Sequence, residues 1–209
     1  MTTSPDIANG ELSAAFAALP GVDEPTRARL HARLVSAAAE AGILDVAYRT
    51  VDSPVGPLLL AATDTGLVRV AYAREDHDAV LERLASTVSP RVLLAPARLD
   101  PVAAEFEEYF AGRRRLFDLP LDLRLAHGFR RTVLSQLRRI GYGQTASYTA
   151  VAVAAGSPKA VRAVGTACAT NPLPIVVPCH RVVRSDGAIG GYVGGADAKR
   201  TLLSLEAAV

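Results

Sequence analysis

The 209-residue chain has no tryptophan, one methionine and only two cysteines, Cys168 and Cys179. Two thiols cannot build a disulfide framework or a four-thiolate zinc site. The four histidines (His31, His77, His127, His180) are too scattered for ligand spacing, so no structural metal is expected. Half of the residues are hydrophobic, yet no uncharged apolar run approaches the ~20 residues of a membrane span. Met1 to Glu11 is polar and acidic, without the charged-then-apolar layout of a secretion signal. A soluble, cytoplasmic protein is the expectation, with no membrane partner. No Gly-x-Gly-x-x-Gly follows a strand, which speaks against a nucleotide-phosphate site. Internal repeats and low-complexity tracts are also missing.

What the chain does have is unevenly placed charge. Residues 121–209 carry eleven Lys/Arg against four Asp/Glu, a net +7, whereas residues 1–120 hold twelve against seventeen, a net −5. Such asymmetry fits a C-terminal half facing a polyanion, and equally an ordinary solvated surface.

The patterning predicts three segments. Residues 1–44 are Ala-rich and helical. Glu24-Pro25 opens a helix with Leu30, Leu34 and Ala38 on one face, and Gly42 ends it. An accessory helical pair is expected there. Residues 45–121 begin with a three-strand meander, Val46–Val51, Leu58–Ala62 and Leu67–Tyr72, broken by Pro/Gly and Asp/Gly turns. Helices near 76–86 and 101–111 follow, and 116–121 reads as an edge segment because Pro120 is poorly tolerated inside a sheet. Residues 122–209 open after a linker at about 121–127. An amphipathic helix over 128–140 places Phe129, Val133 and Leu137 on one face and arginines on the other. Helices over 147–155 and 158–169 then form a helix-turn-helix, the second starting at Ser157 as N-cap with Pro158 behind it. That second helix carries little bulk (Ala160, Ala163, Gly165, Ala167) but keeps Lys159 and Arg162. Tight helix packing explains this, and so does entry into a narrow nucleic-acid groove. A final helix over 196–207 carries Glu206.

Chemistry concentrates at Pro178-Cys179-His180-Arg181, following the β-branched run Ile175-Val176-Val177, which reads as a short buried strand. A thiol beside an imidazole, with Arg181 and Arg184 close in sequence, is the setting that lowers a thiol pKa and makes a nucleophile. Ile189 to Gly195 is a Gly-dense loop around Tyr192, suited to close approach of a flat ligand. Cys168 reads as a small buried hydrophobe.

Taken together, these residues resemble the methylated-DNA–protein-cysteine methyltransferases, or O6-alkylguanine-DNA alkyltransferases. The resemblance rests on Ala146-Ser147-Tyr148, Arg162-Ala163-Val164-Gly165, Asn171-Pro172, Ile175 to Val183, Gly190 to Gly195, Lys199 and Leu202-Leu203. The meander with Ser53-Pro54-Val55-Gly56-Pro57 resembles the family's N-terminal domain, while residues 1–44 lie outside the resemblance. It implies an α+β protein with a small N-terminal antiparallel-sheet, ribonuclease H-like domain and a mostly helical C-terminal domain with a helix-turn-helix.

The function implied is DNA repair by irreversible transfer of the alkyl group from O6-alkylguanine, or O4-alkylthymine, to the protein's own thiol. Cys179 is the implied nucleophile and acceptor. His180 takes its proton through a bridging water, and Glu206 orients His180. Tyr148 turns the target phosphate and protonates the leaving guanine, and Asn171 is the hinge between recognition helix and cysteine segment. Arg162 fills the space left by the flipped base, with Arg130, Thr149, Ser157 and Ser185 at further DNA-contacting positions. Tyr192 lines the pocket, and backbone groups near Cys179, Val182 and Val193 read the guanine edge. The partner implied is double-stranded DNA carrying the lesion, bound through the minor groove by a monomer, with clustering on DNA left open. No cofactor is implied. Some relatives bind zinc in the N-terminal domain; with both cysteines beyond residue 160, none is expected here.

Departures from the family pattern are the missing glutamine and tryptophan in Phe129 to Leu134, Gly141 before Tyr142-Gly143, and Val193 in place of serine or arginine. A lesion-binding module without transfer and a cysteine hydrolase are the alternatives. Turnover separates them from a single-use acceptor.

Overall fold

The structure, a computed structural model, describes residues 23–207. It divides into a unit ending at Ala41 and a larger unit from Gly42 onward. In the first unit, helix α1 spans Glu24–Glu40, with Asp23 as N-cap accepting from the Thr26 amide at 2.9 Å and Pro25 in the first turn. The other member of the expected helical pair lies outside the described residues.

The larger unit opens with strands β1 (Val46–Val51), β2 (Leu58–Ala62) and β3 (Leu67–Tyr72), paired antiparallel as the meander predicts. A fourth strand, β4 (Val92–Leu94), joins parallel to β1, giving the order β3-β2-β1-β4. The sheet is therefore mixed rather than purely antiparallel. Three residues after Ser89-Pro90 carry no readable alternation, which is why this strand is invisible in the sequence. Strand β2 is buried along its whole length. By strand alternation, Leu59 and Ala61 face helix α2 (His77–Thr87), where Val80 and Leu84 close one core. Leu58 and Leu60 face the opposite side and are fully buried. Each buried leucine is worth about 2 kcal/mol.

Helix α3 (Asp100–Phe110) buries Phe106 and Tyr109, whose rings meet Phe117 at centroid distances of 5.1 and 5.2 Å. The expected edge segment at 116–121 touches the sheet at only one residue, Leu121 against Leu67. There the Leu67 amide donates to the Pro120 carbonyl at 2.9 Å, and the Asp122 amide donates back to Leu67. Gly66, at φ +146°, permits this approach; a Cβ would lie 2.2 Å from the Pro120 oxygen.

The C-terminal part is mostly helical: α4 (Gly128–Leu137), β5 (Ala146–Ser147), α5 (Tyr148–Ala154), α6 (Val161–Ala169), β6 (Val182–Val183) and α7 (Gly195–Ala207). Helix α4 buries Val133, Leu134 and Leu137, close to the predicted face. Gly156 at φ +73° ends α5 and begins the turn of the helix-turn-helix. Helix α6 starts at Val161, three residues later than the Ser157 cap predicts. Residues 157–160 form a turn closed by the Ala160 amide on the Ser157 carbonyl at 2.9 Å, and Ala160 stands at the N-cap without a side-chain bond.

Ile175-Val176-Val177 is buried but is not a strand. Ile175 sits at φ +76°, the Val177 amide folds back to the Leu173 carbonyl at 2.8 Å, and Cys179–Arg181 forms a 3-10 turn. The β-branched run signals burial, and the proline and the asparagine before it decide the backbone.

Candidate active site

Cys179 opens that 3-10 turn and is 1 % exposed. The fully buried Asn171 fixes its surroundings. Its Nδ2 donates to the Val177 carbonyl at 2.8 Å and to Cys179 Sγ at 3.1 Å, while its Oδ1 accepts from the Leu173 amide at 3.0 Å. The expected lowering of the thiol pKa is not what the site does. Burial pushes it up to about 11, against the Asn171 hydrogen bond and the Lys199 charge that pull it down. Arg184 is exposed, and Arg181 is committed elsewhere. At pH 7 about one such thiol in ten thousand is ionised, so the site needs a base.

His180 is fully buried next to it and can be that base. Its Nε2–H donates to Glu206 Oε1 at 2.9 Å, which leaves Nδ1 as the bare lone pair. That Nδ1 is buried and has no hydrogen-bond partner among the described residues. Burial lowers the imidazole pKa, helped by Arg181 and Lys199 and opposed by Glu206. The ring is therefore neutral at pH 7, in the tautomer a base requires.

Glu206, on the last turn of α7, is the hub. It accepts from the Tyr109 hydroxyl at 2.8 Å, from Arg181 Nε and Nη2 at 2.8 Å each, and from the Gly143 amide at 3.3 Å. Burial alone would raise its pKa, but the bonds from His180 and Arg181 outweigh that and hold it at about 2. Arg181 also donates Nη1 to the Ile140 carbonyl at 2.6 Å and lies over the Tyr142 ring at 5.8 Å. A carboxylate with this many donors stays ionised and cannot rotate.

The remaining predicted residues fall into two groups. Tyr148 starts α5, capped by Ser147, and its hydroxyl packs on Gly190, where a Cβ would lie 3.1 Å away. Tyr192 shares a 2.7 Å hydroxyl contact with Tyr72 and stands edge-on to His180 at 6.3 Å. Val182 is buried, its carbonyl accepting from Lys199 Nζ at 2.6 Å. The strand pairs Ala146–Val182 and Ser147–Val183 tie the start of α5 to the end of the cysteine turn. Arg162, Thr149 and Ser185 instead point to solvent, as do Ala163 and Thr166 on the same helix, while Ser157 is half-buried. Arg130 reaches Thr170 Oγ1 at 3.4 Å. It lines a cavity of about 390 Å³ together with Arg69, Thr170, Asn171, Pro172 and Val193.

Compared with known proteins, residues 128–208 match the family described as 6-O-methylguanine DNA methyltransferase, DNA binding domain. Residues 46–123 match its ribonuclease-like domain. A methylated-DNA–protein-cysteine methyltransferase of Mycolicibacterium paratuberculosis is 42 % identical over 77 % of this chain and 92 % of its own length. The chain belongs to the methylated-DNA–protein-cysteine methyltransferase family. A Methanosarcina barkeri methyltransferase of the same name is 38 % identical over 76 % of this chain and 96 % of its own. The crystal structure of Mycobacterium tuberculosis O6-methylguanine methyltransferase aligns with TM-score 0.69 at 38 % identity, covering 78 % of this chain and 93 % of that one. The structure of that organism's enzyme in complex with DNA aligns with TM-score 0.67, also at 38 % identity.

In this family member the sequence leaves three contributors unassigned. Tyr72 and Tyr109 come from the sheet domain, more than ninety positions from their partners, and no local pattern links residues so far apart. Arg181 was legible as a charge but not as the clamp on Glu206. Among the described residues no group of three or more His, Cys, Asp or Glu could hold a metal ion. No helix among them is long and apolar enough to cross a membrane.

Proposed function

We propose that this chain repairs double-stranded DNA by irreversible, stoichiometric transfer of the alkyl group from O6-alkylguanine, or O4-alkylthymine, to Cys179. One observation carries the reading: a buried thiol shares a 3-10 turn with a neutral imidazole whose free nitrogen has no partner and whose other nitrogen is locked by an ionised carboxylate. That is a nucleophile, a base and an orienting group, the arrangement acyl- and alkyl-transfer sites use.

His180 Nδ1 takes the Cys179 proton by way of one water, and the thiolate attacks the alkyl carbon. The S–C bond forms as the C–O6 bond breaks. Tyr148 gives its hydroxyl proton to the departing guanine, and the proton lifted from Cys179 restores it; the sulfur is left as a thioether that no step cleaves, so each protein molecule is consumed once. Burial raises the Tyr148 pKa, which keeps that proton in place until the base leaves. To present the lesion, α6 enters the minor groove and Arg162 occupies the space the flipped base leaves, offsetting a few kcal/mol of lost stacking. The solvent-facing Arg162, Ala163 and Thr166 support this, because a thin basic face permits close backbone approach. Little sequence preference is expected from such contacts.

The test is incubation of the full chain with methylated duplex followed by intact-protein and peptide mass spectrometry. One methyl on the peptide containing Cys179, at one per protein molecule, is the expected result. An unmodified peptide with the lesion retained points to a binder and overturns the reading. Repeated turnover on an ester or amide would mark a hydrolase.

A further inference from the structure

We propose that Tyr109, from the sheet domain, is a positioning residue for the transfer, acting through Glu206 on His180. The inference rests on the reading of Cys179 and His180 given above and extends it to a residue outside the C-terminal domain. The geometry is direct. The Tyr109 hydroxyl donates to Glu206 Oε1 at 2.8 Å, and this same oxygen accepts from His180 Nε2 at 2.9 Å. Both partners are sealed, Tyr109 at 0 % and Glu206 at 2 % exposure. Burial, the Glu206 charge and the hydrogen bond to it raise the phenol pKa well above its ordinary value, so Tyr109 is a permanent donor.

Its ring cannot drift from that position. Phe110 and Phe117 stand 5.3 and 5.2 Å away, and Tyr142 closes a further side at 6.2 Å. Packing thus fixes the ring, and the ring fixes the oxygen. A third donor on Oε1, besides His180 and Arg181, draws off part of the negative charge that would otherwise hold a proton on the imidazole. The other groups facing this pair are Arg181 Nε and the Gly143 amide on Oε2, Lys199 on α7, Tyr142 beside Glu206, and Tyr192 edge-on to the imidazole. Of these, Arg181 and Lys199 oppose protonation of His180 and Glu206 favours it. Loss of the phenol strengthens the pull of Glu206 alone. The imidazole then holds its proton to higher pH, and less of it is available as a base.

The experiment uses the full chain and single-turnover transfer from methylated duplex, measured across pH. Tyr109→Phe keeps the ring and removes only the donor. Expected are a rate about tenfold lower near pH 6 with a smaller loss near pH 8, an acid limb moved to higher pH, and a duplex Kd within about twofold of the wild type. Incorporation of p-aminophenylalanine at 109, which restores a donor, is expected to bring the rate back to within about threefold. A Phe variant with the wild-type rate and acid limb, or one losing affinity and rate together with no movement of the limb, overturns the proposal. Should the Phe variant not fold, the wild-type protein decides by NMR. The Tyr109 hydroxyl proton should appear as a slowly exchanging downfield signal that shifts as His180 titrates, and absence of any such shift overturns it. Failure of the wild type to transfer a methyl would instead defeat the parent reading, so the two failures are distinguishable.

Discussion

The side-chain amide of Asn171 holds the Val177 carbonyl at 2.8 Å with the same nitrogen that reaches Cys179 Sγ at 3.1 Å. One side chain therefore sets both the backbone path into the acceptor turn and the electrostatics of its sulfur. Asn171→Asp keeps the shape but removes the donor and places a buried charge beside the thiol. We expect at least a tenfold slower transfer, since the thiol pKa rises further, and a stability loss of about 2–4 kcal/mol. Single-turnover rates and denaturant melts check both, and a variant of wild-type rate would show that the contact does not influence the sulfur.

Arg162 projects from α6 into solvent, and its proposed task exists only in duplex DNA. Arg162→Ala should slow repair of a methylated duplex by tenfold or more while leaving transfer from free O6-methylguanine base nearly unchanged. Equal losses on the two substrates would contradict a flipping role.

Acid should weaken the fold in two stages. His180 is held below its ordinary 6.5 by burial; the unfolded chain takes up that proton first, so stability falls as pH drops below 6.5. Glu206, at about 2 rather than 4.5, contributes stability that is intact above 4.5 and is lost as pH falls from 4.5 toward 2. Down to pH 3 the second stage amounts to about 2 kcal/mol. Urea titrations between pH 7.5 and pH 3 would read this directly. A flat profile over that range would contradict it.

Gly194 lies under the Tyr72 ring so closely that a Cβ would meet Tyr72 Cζ at 2.6 Å. Tyr72 is 2 % exposed and has nowhere to swing. Gly194→Ala should cost about 1–3 kcal/mol as overpacking and slow transfer by displacing Tyr192 through its 2.7 Å contact with Tyr72. Gly191→Ala is the control. Nothing lies within 4 Å of a Cβ there, so a change within about 0.5 kcal/mol is expected.

The three meander strands and the helices were readable because their signals are local: alternation, Gly/Pro turns and 3.6-residue spacing. Cys179, His180, Glu206 and Asn171 were grouped only through family resemblance; hydrogen bonds join them in two pairs, Asn171 with Cys179 and His180 with Glu206. Three features were not legible. Ile175 to Val177 has strand composition, but Pro178 and the Asn171 amide impose a turn. Ser157-Pro158 has capping chemistry, yet its residues close a turn and α6 begins at Val161. The thiol sits among basic residues in the sequence, but in space Arg181 belongs to Glu206, so desolvation decides its pKa.

The Gly143 amide and the Tyr142 hydroxyl are bound to Glu206 and the Leu205 carbonyl, five and six positions before Tyr148 begins its helix. The arm of the proposed proton donor and the support of the proposed base therefore share one hinge. Directed evolution toward bulkier adducts would gain little from randomising residues around Tyr148 alone. Libraries that vary 141–148 jointly with the final turn of α7 are the ones able to widen the site without disarming it.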